Sequence, residues 1–397
     1  MSRKIKYVYS DYLISQADKN PAVKGRASLT HNLIKSYGLL SHMERIRPVV
    51  ANSSDLKGYH NADYVKQLNQ YEDLSKIDKE NVNDSFKYDP DDNEEDVLDD
   101  CLLSDSHGLC YDCPPWPGVK NYVYAIAGAT MTACQELCKS SGSNKDIILN
   151  WCGGWHHAQK GKAAGFCYVN DIVLGILVLT TKFRRILYVD LDNHHGDGVE
   201  EAFATTRRVF CLSFHQMECG YYPGTGSLND MGRENCLGYT ANFPYKRGIT
   251  GDKYRKYFKR IFSAVCQAFK PSVCVIQCGA DVIVGDPLGG SNLIPEDLIE
   301  CIRAILNYPV PCVFLGGGGY NMANSSRYWC QLTAAICQET LEDDIPADNE
   351  NFLKYGPDYC LNIKRMPTLR DENKDEDLEE QAEWIEGNLK LYKVYPV

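Results

Sequence analysis

Five short apolar runs punctuate the middle of the chain. They are Ile147-Ile148-Leu149-Asn150-Trp151, Ile186-Leu187-Tyr188-Val189-Asp190, Val209-Phe210-Cys211-Leu212-Ser213, Val273-Cys274-Val275-Ile276-Gln277 and Cys312-Val313-Phe314-Leu315. Each is continuous rather than alternating, as expected of strands buried on both faces. Residues 119–138, 168–182, 251–269, 295–307 and 325–341 carry apolar side chains at helical spacing. Strands that alternate with helices predict an α/β fold on a parallel sheet with right-handed crossovers. Residues 1–70 read as a strand and helices leading into this core. Near the end, Leu378, Ala382, Ile385 and Leu389 fall on one helical stripe. No repeat or linker divides 110–340, so 1–397 reads as one domain, with 366–397 as a surface helix and tail.

Charge changes the picture at one place. The net charge of the chain is −11, and residues 72–105 hold 14 Asp or Glu against 3 Lys. That segment carries the whole imbalance and reads as a flexible acidic loop. An acidic surface repels nucleic-acid phosphates, so no direct nucleic-acid binding is expected. A solvated spacer is the blander reading of the same residues. No run of about 18 apolar residues occurs, which predicts no membrane helix. Met1-Ser2-Arg3-Lys4-Ile5 lacks a signal-peptide core. The 18 cysteines are scattered through an otherwise intracellular-looking chain, so most are expected as reduced, buried thiols.

The informative residues follow the apolar runs. After the first comes Gly153-Gly154-Trp155-His156-His157; the second ends in Asp190-Leu191-Asp192-Asn193-His194-His195-Gly196-Asp197-Gly198. The fourth leads to Gly279-Ala280-Asp281 and the fifth to Gly316-Gly317-Gly318-Gly319-Tyr320. Ligands of open parallel sheets bind at the carboxyl ends of strands. In an extended segment, residues i and i+2 face the same way, so Asp192 and His194 can share one ion. Asp281 can supply a third ligand from another strand end. One imidazole and two carboxylates suit Zn²⁺, with Fe²⁺, Co²⁺ and Mn²⁺ as alternatives, and three protein ligands leave a catalytic position open. A structural zinc site would favour four Cys or His ligands. His195 reads as structural. Asp-x-His alone is weak, and tandem histidines usually lie on the surface or in a satisfied core. Here Asp190 and Asp197 remain to orient one imidazole each, giving two His–Asp dyads beside one metal. Tyr320, after four glycines, can offer its hydroxyl to an oxyanion. Phe166 and Tyr222 would form an apolar slot for a linear alkyl chain bearing a neutral amide.

These stretches, with Gly165-Phe166-Cys167-Tyr168-Val169-Asn170-Asp171 and Tyr222-Pro223-Gly224-Thr225-Gly226, resemble the class I zinc-dependent histone deacetylases over roughly 5–365. The resemblance implies an arginase/deacetylase-like domain with an eight-stranded parallel sheet flanked by helices. It implies hydrolysis of Nε-acetyl-lysine in histone and other proteins. His157 with Asp197 would be base and then acid, His156 with Asp190 its electrostatic partner, and Tyr320 the carbonyl polariser. Asp112, Trp155, Gly165, Phe166, Tyr222 and Leu288 would line the substrate, and Arg26 an internal acetate channel. Structural K⁺ would sit at the backbone of Asp190, Asp192 and His194 with Ser213, and at Phe203, Thr206, Val209 and Tyr239. Acetylated histone tails, activity without a corepressor complex, and a nuclear and cytoplasmic location follow by the same route. Acetylpolyamines, longer acyl-lysines and an inactive acetyl-lysine scaffold are the alternatives.

Four features depart from the family pattern. Asn193 replaces an aliphatic residue and should point away from the metal with small effect. Tyr222 stands where Phe is usual. Cys110 creates Cys110-x-x-Cys113 and competes with Cys167 for Cys113; Cys113 and Cys167 read either as a redox pair flanking the site or as buried inert thiols. Segment 72–105 is unusually long. Ser28, following Arg26, resembles a weak basophilic kinase site.

Overall fold

The computed structural model describes residues 3–71, 107–139 and 145–390, so the acidic segment 72–105 and the last seven residues lie outside the described residues. Eight parallel strands form one sheet. In chain order they are β1 (Ile5–Val8), β2 (Glu44–Ile46), β3 (Ile147–Asn150), β4 (Ile186–Asp190), β5 (Val209–Gln216), β6 (Thr240–Tyr245), β7 (Val273–Gln277) and β8 (Cys312–Leu315). Their order across the sheet is β2-β1-β3-β8-β7-β4-β5-β6. The continuous apolar runs are explained by alternation between two cores. Leu187, Val189, Cys274, Ile276 and Phe314 enter one. Ile186, Tyr188, Val273, Val275, Val313 and Leu315 enter the other. With both faces covered by helices, the four innermost strands β3, β8, β7 and β4 stay almost wholly apolar until their last residues.

Five of the covering helices are α1 (Val119–Lys139), α2 (Asp171–Leu179), α3 (Gly251–Phe269), α4 (Pro295–Asn307) and α5 (Met322–Cys337). Local chemistry sets their ends. The Asn170 side chain accepts from the Val173 amide, so α2 starts at Asp171 rather than 168. Asn321 accepts from the Asn324 amide, so α5 starts at Met322 rather than 325. The C-terminal helix α6 (Asp375–Leu389) buries Leu378, Ala382, Ile385 and Leu389. It packs on α3, where Arg260 meets Glu386 at 2.8 Å. Strands β2 and β6 were not expected. The first is three residues long and mostly exposed; the second carries Asn242 and Pro244, a composition that edge strands tolerate.

The chain passes from β3 directly to β4, and later places β7 and β8 between them. The carboxyl ends of β3, β8, β7 and β4 are therefore neighbours, and all four motif segments leave the sheet on one rim.

Candidate active site

On this rim the ligating atoms of Asp192, His194 and Asp281 lie within 4.8 Å of one another, and all three residues are buried. His194 Nδ1 is 2.8 Å from Asp281 Oδ2 and 3.4 Å from Asp192 Oδ1. Surrounding donors leave the carboxylates little freedom. Gln277 Nε2 donates to Asp192 Oδ2 at 2.7 Å and the Gly318 amide does so at 2.9 Å. The Asn193 amide donates to Asp281 Oδ1 at 3.0 Å. Burial and then the nearby Asp192 charge push Asp281 up to about 7. Asp192 overcomes its own burial through His156 and His194 and is held well below the usual carboxylate range. Two buried carboxylates that compete in this way are relieved by a cation, so the donor set fits a divalent metal.

Beside it stand the two tandem histidines. His156 Nδ1 is 2.8 Å from Asp190 Oδ2, and His157 Nδ1 is 2.7 Å from Asp197 Oδ1. Their Nε2 atoms face each other at 3.0 Å. Burial opposes charge on His156, but Asp190 and Asp192 raise its pKa to about 9. Burial and the neighbouring His156 lower His157 to about 4. His157 is thus the neutral, proton-accepting imidazole near pH 7. Asp171 organises the loop that carries the pair: its carboxylate accepts from the amides of Gly154 and Trp155 at 3.0 and 2.9 Å.

Tyr320 leaves the glycine strip with its amide bound to Asp286 Oδ2 at 2.7 Å. Burial, with Asp281 and Asp192 nearby, keeps its phenol protonated well above the ordinary value. It is therefore a hydroxyl donor. The strip must be glycine: Gly317 has φ +147°, and a Cβ there would lie 2.0 Å from Gln277. Arg26 is buried and donates to the carbonyls of Gly319 and Gly317 at 2.7 and 2.9 Å, which fixes the strip from behind.

The slot takes shape around these groups. The Phe166 ring meets Tyr320 edge-on at 5.4 Å, and Tyr222 meets His157 edge-on at 5.0 Å. Phe166 holds φ +64°, a left-handed conformation costing about 1–2 kcal/mol in a non-glycine residue. Asp112 Oδ2 accepts from the Gly165 amide at 2.7 Å, leaving its second oxygen for another donor. Leu288 is 41% exposed on the rim. Trp155 departs from the expectation. It is buried, its indole N–H bonds to the Cys152 carbonyl at 3.0 Å, and it lines an inner cavity with Arg26, Trp151 and Trp329. It therefore faces the far side of the chemistry, away from the slot mouth.

His195 is occupied as a structural histidine would be, between Thr225 and Glu200 at 2.9 Å each. Ser213 bonds His215 at 2.8 Å. The Phe203 carbonyl takes the Thr206 amide and the Tyr239 carbonyl takes that of Cys211, while Val209 opens β5 beside them. Cys113 and Cys167 are free, buried thiols, and burial raises both pKa values, which makes poor thiolates. The Ser28 hydroxyl is bound to Asp18. Sequence reasoning missed Asp171, Asp286, Gln277 and Tyr221. Only Asp286 carried a signal, in the turn Gly285-Asp286-Pro287.

A histone deacetylase domain model matches residues 20–336. The chain belongs to the histone deacetylase family. It is 41% identical to histone deacetylase 8 of Danio rerio over 390 residues, covering 98% of this chain and 96% of that protein. Against histone deacetylase 8 of Xenopus tropicalis it is 40% identical, covering 97% of each. Against histone deacetylase 1 of Homo sapiens it is 36% identical, covering 98% of this chain and 76% of that protein. Of these three, the two eighth-type proteins share more identity with the chain than histone deacetylase 1 does.

Proposed function

We propose that the protein is a zinc-dependent lysine deacetylase that hydrolyses Nε-acetyl-lysine to lysine and acetate. One observation carries this reading: two carboxylate-held histidines, one neutral and one charged, border the same buried spot as an Asp–His–Asp ligand set. Asp192, His194 and Asp281 would hold the zinc, which when bound polarises the amide carbonyl and acidifies a water. The residues of the chain do the rest. Phe166 and Tyr222 grip the lysine alkyl chain and exclude bulk water. His157 accepts the proton of the attacking water, with Asp197 holding its Nδ1–H. The Tyr320 hydroxyl donates to the carbonyl oxygen as charge builds there. The amide C–N bond then breaks, and an imidazolium returns a proton to the leaving amine. Acetate is left next to the cavity lined by Arg26 and Trp155.

The family resemblance supports acetylated histone tails as substrates, turnover without a corepressor complex, and a nuclear and cytoplasmic location. Fe²⁺ is the competing metal and K⁺ a structural one. Among the described residues, no helix is long and apolar enough to cross a membrane.

Tyr320→Phe tests the mechanism. The variant should fold and keep its zinc, yet lose about 10²–10³-fold in kcat, the usual loss for one oxyanion donor. Unchanged turnover on an acetyl-lysine peptide would remove Tyr320 from the chemistry.

A further inference from the structure

Between the two ligands that follow β4 sits Asn193, fully buried, where the resembled motif has an aliphatic residue. A buried amide is costly unless its hydrogen bonds are made, and here they are. Its Nδ2 donates to the Tyr221 hydroxyl and to Gln216 Oε1 at 3.3 Å. Its Oδ1 accepts from Ser291 Oγ at 2.8 Å and from the Tyr245 hydroxyl at 3.2 Å. Its own amide holds Asp281 Oδ1 at 3.0 Å. Tyr221 carries this knot outward. Its hydroxyl donates to the Leu288 carbonyl at 2.8 Å, and its ring lies flat against the His194 imidazole, centroids 5.2 Å apart and planes 4° apart. One side chain therefore ties the end of β4 to β6, to the loop after β7 and to the Tyr221–Tyr222 wall of the slot.

We propose that Asn193 is a positioning residue with two outputs. Through Tyr221 and its own backbone it holds His194 and Asp281 in their ligating orientation. Through the Tyr221–Leu288 bond it fixes the slot rim next to Tyr222. It touches no substrate. A leucine in its place would leave the hydroxyls of Tyr221, Tyr245 and Ser291 without their shared partner, and buried networks lose more than one bond when the hub is removed. The inference rests on the assignment of Asp192, His194 and Asp281 as the metal ligands.

The test uses zinc-loaded wild type, Asn193→Leu and Tyr221→Phe. The readouts are zinc content, the rate at which excess chelator strips the zinc, and kcat and KM on an acetyl-lysine peptide. Both variants should load zinc stoichiometrically. Asn193→Leu should release it faster by about 10- to 100-fold, the range typical of residues that orient metal ligands. Tyr221→Phe, which keeps the ring and removes only the hydroxyl, should show a smaller increase. In both, KM should rise more than kcat falls. If Asn193→Leu does not fold, Tyr221→Phe decides alone. Wild-type zinc release and KM with only a lower Tm would overturn the proposal, because a purely structural knot would give that result. Wild-type protein that binds no zinc would instead overturn the ligand assignment, and the proposal with it.

Discussion

His156 and His157 are neighbours in the chain, with rings 4.0 Å apart, and each is anchored by one aspartate at nearly the same distance. They nevertheless titrate in opposite directions. The difference lies in what surrounds each pair. Asp190 is sealed, with 1% of its side chain exposed, and it also accepts from the Tyr188 hydroxyl at 2.6 Å and the Asp192 amide at 3.1 Å. His156 further feels Asp192, so two carboxylates favour its charge. Asp197 is 15% exposed and has only a long contact from Gln159 at 3.4 Å. Burial and a charged His156 whose Nε2 lies 3.0 Å away both disfavour a resting charge on His157. Identical residue types thus become a cation near pH 7 and a usable base.

This division makes the two histidines unequal in catalysis. His157→Ala should lose the most, about 10²–10⁴-fold in kcat/KM, as for loss of a general base. His156→Ala should lose less, about 10²-fold at the low end of that range. Equal losses, measured on one acetyl-lysine peptide, would mean that the pair acts as a unit.

The pH profile sharpens the same point. His157 must be neutral to accept a proton, so kcat/KM should have an acid limb, set by the protein groups alone at about 4. His156 contributes while charged, so there should also be an alkaline limb, set by the protein groups alone at about 9. A bound dication disfavours both imidazoliums, so in the zinc enzyme both limbs lie below these values. Asp190→Asn removes the largest support for the His156 charge and should shift the alkaline limb down. His156→Ala relieves the repulsion on His157 and should shift the acid limb up. Shifts in the opposite direction would break the comparison.

Much of this was legible in the sequence because burial on both sheet faces leaves the four innermost strands almost wholly apolar. A reader of the chain meets Asp192, His194, Asp281 and Tyr320 just where each apolar run stops. The gathering of these residues on one rim, and the parallel sheet that gathers them, follow from that rule. The edge strands β2 and β6 did not, because an edge needs no continuous apolar run. Nor did Asp171, Asp286 and Gln277, which hold backbone amides or ligand oxygens from distant positions; single polar residues carry no local periodicity. The polar knot around Asn193 was hidden for the same reason: the side chain points away from the metal as expected, but its partners Tyr221, Tyr245 and Ser291 are far apart in sequence. Trp155 was placed with the slot by its motif, yet the turn at Gly154, with φ +104°, leads the chain into the inner cavity.

The smallest effects fall on the groups that brace each aspartate, and they separate the sealed dyad from the open one. Tyr188 is 2% exposed, and its hydroxyl bonds a charged carboxylate that no water can reach. Tyr188→Phe should therefore destabilise the fold by about 1.5–3 kcal/mol, the usual worth of a hydrogen bond to a charged group. On the open side, Gln159 makes a 3.4 Å contact to an aspartate that water can solvate. Gln159→Ala should stay within about 0.5 kcal/mol of wild type, as surface substitutions do. Urea melts of the two variants read both numbers. Comparable losses would show that Asp197 is as sealed as Asp190, and the opposite titration of the two histidines would then need a cause other than their surroundings.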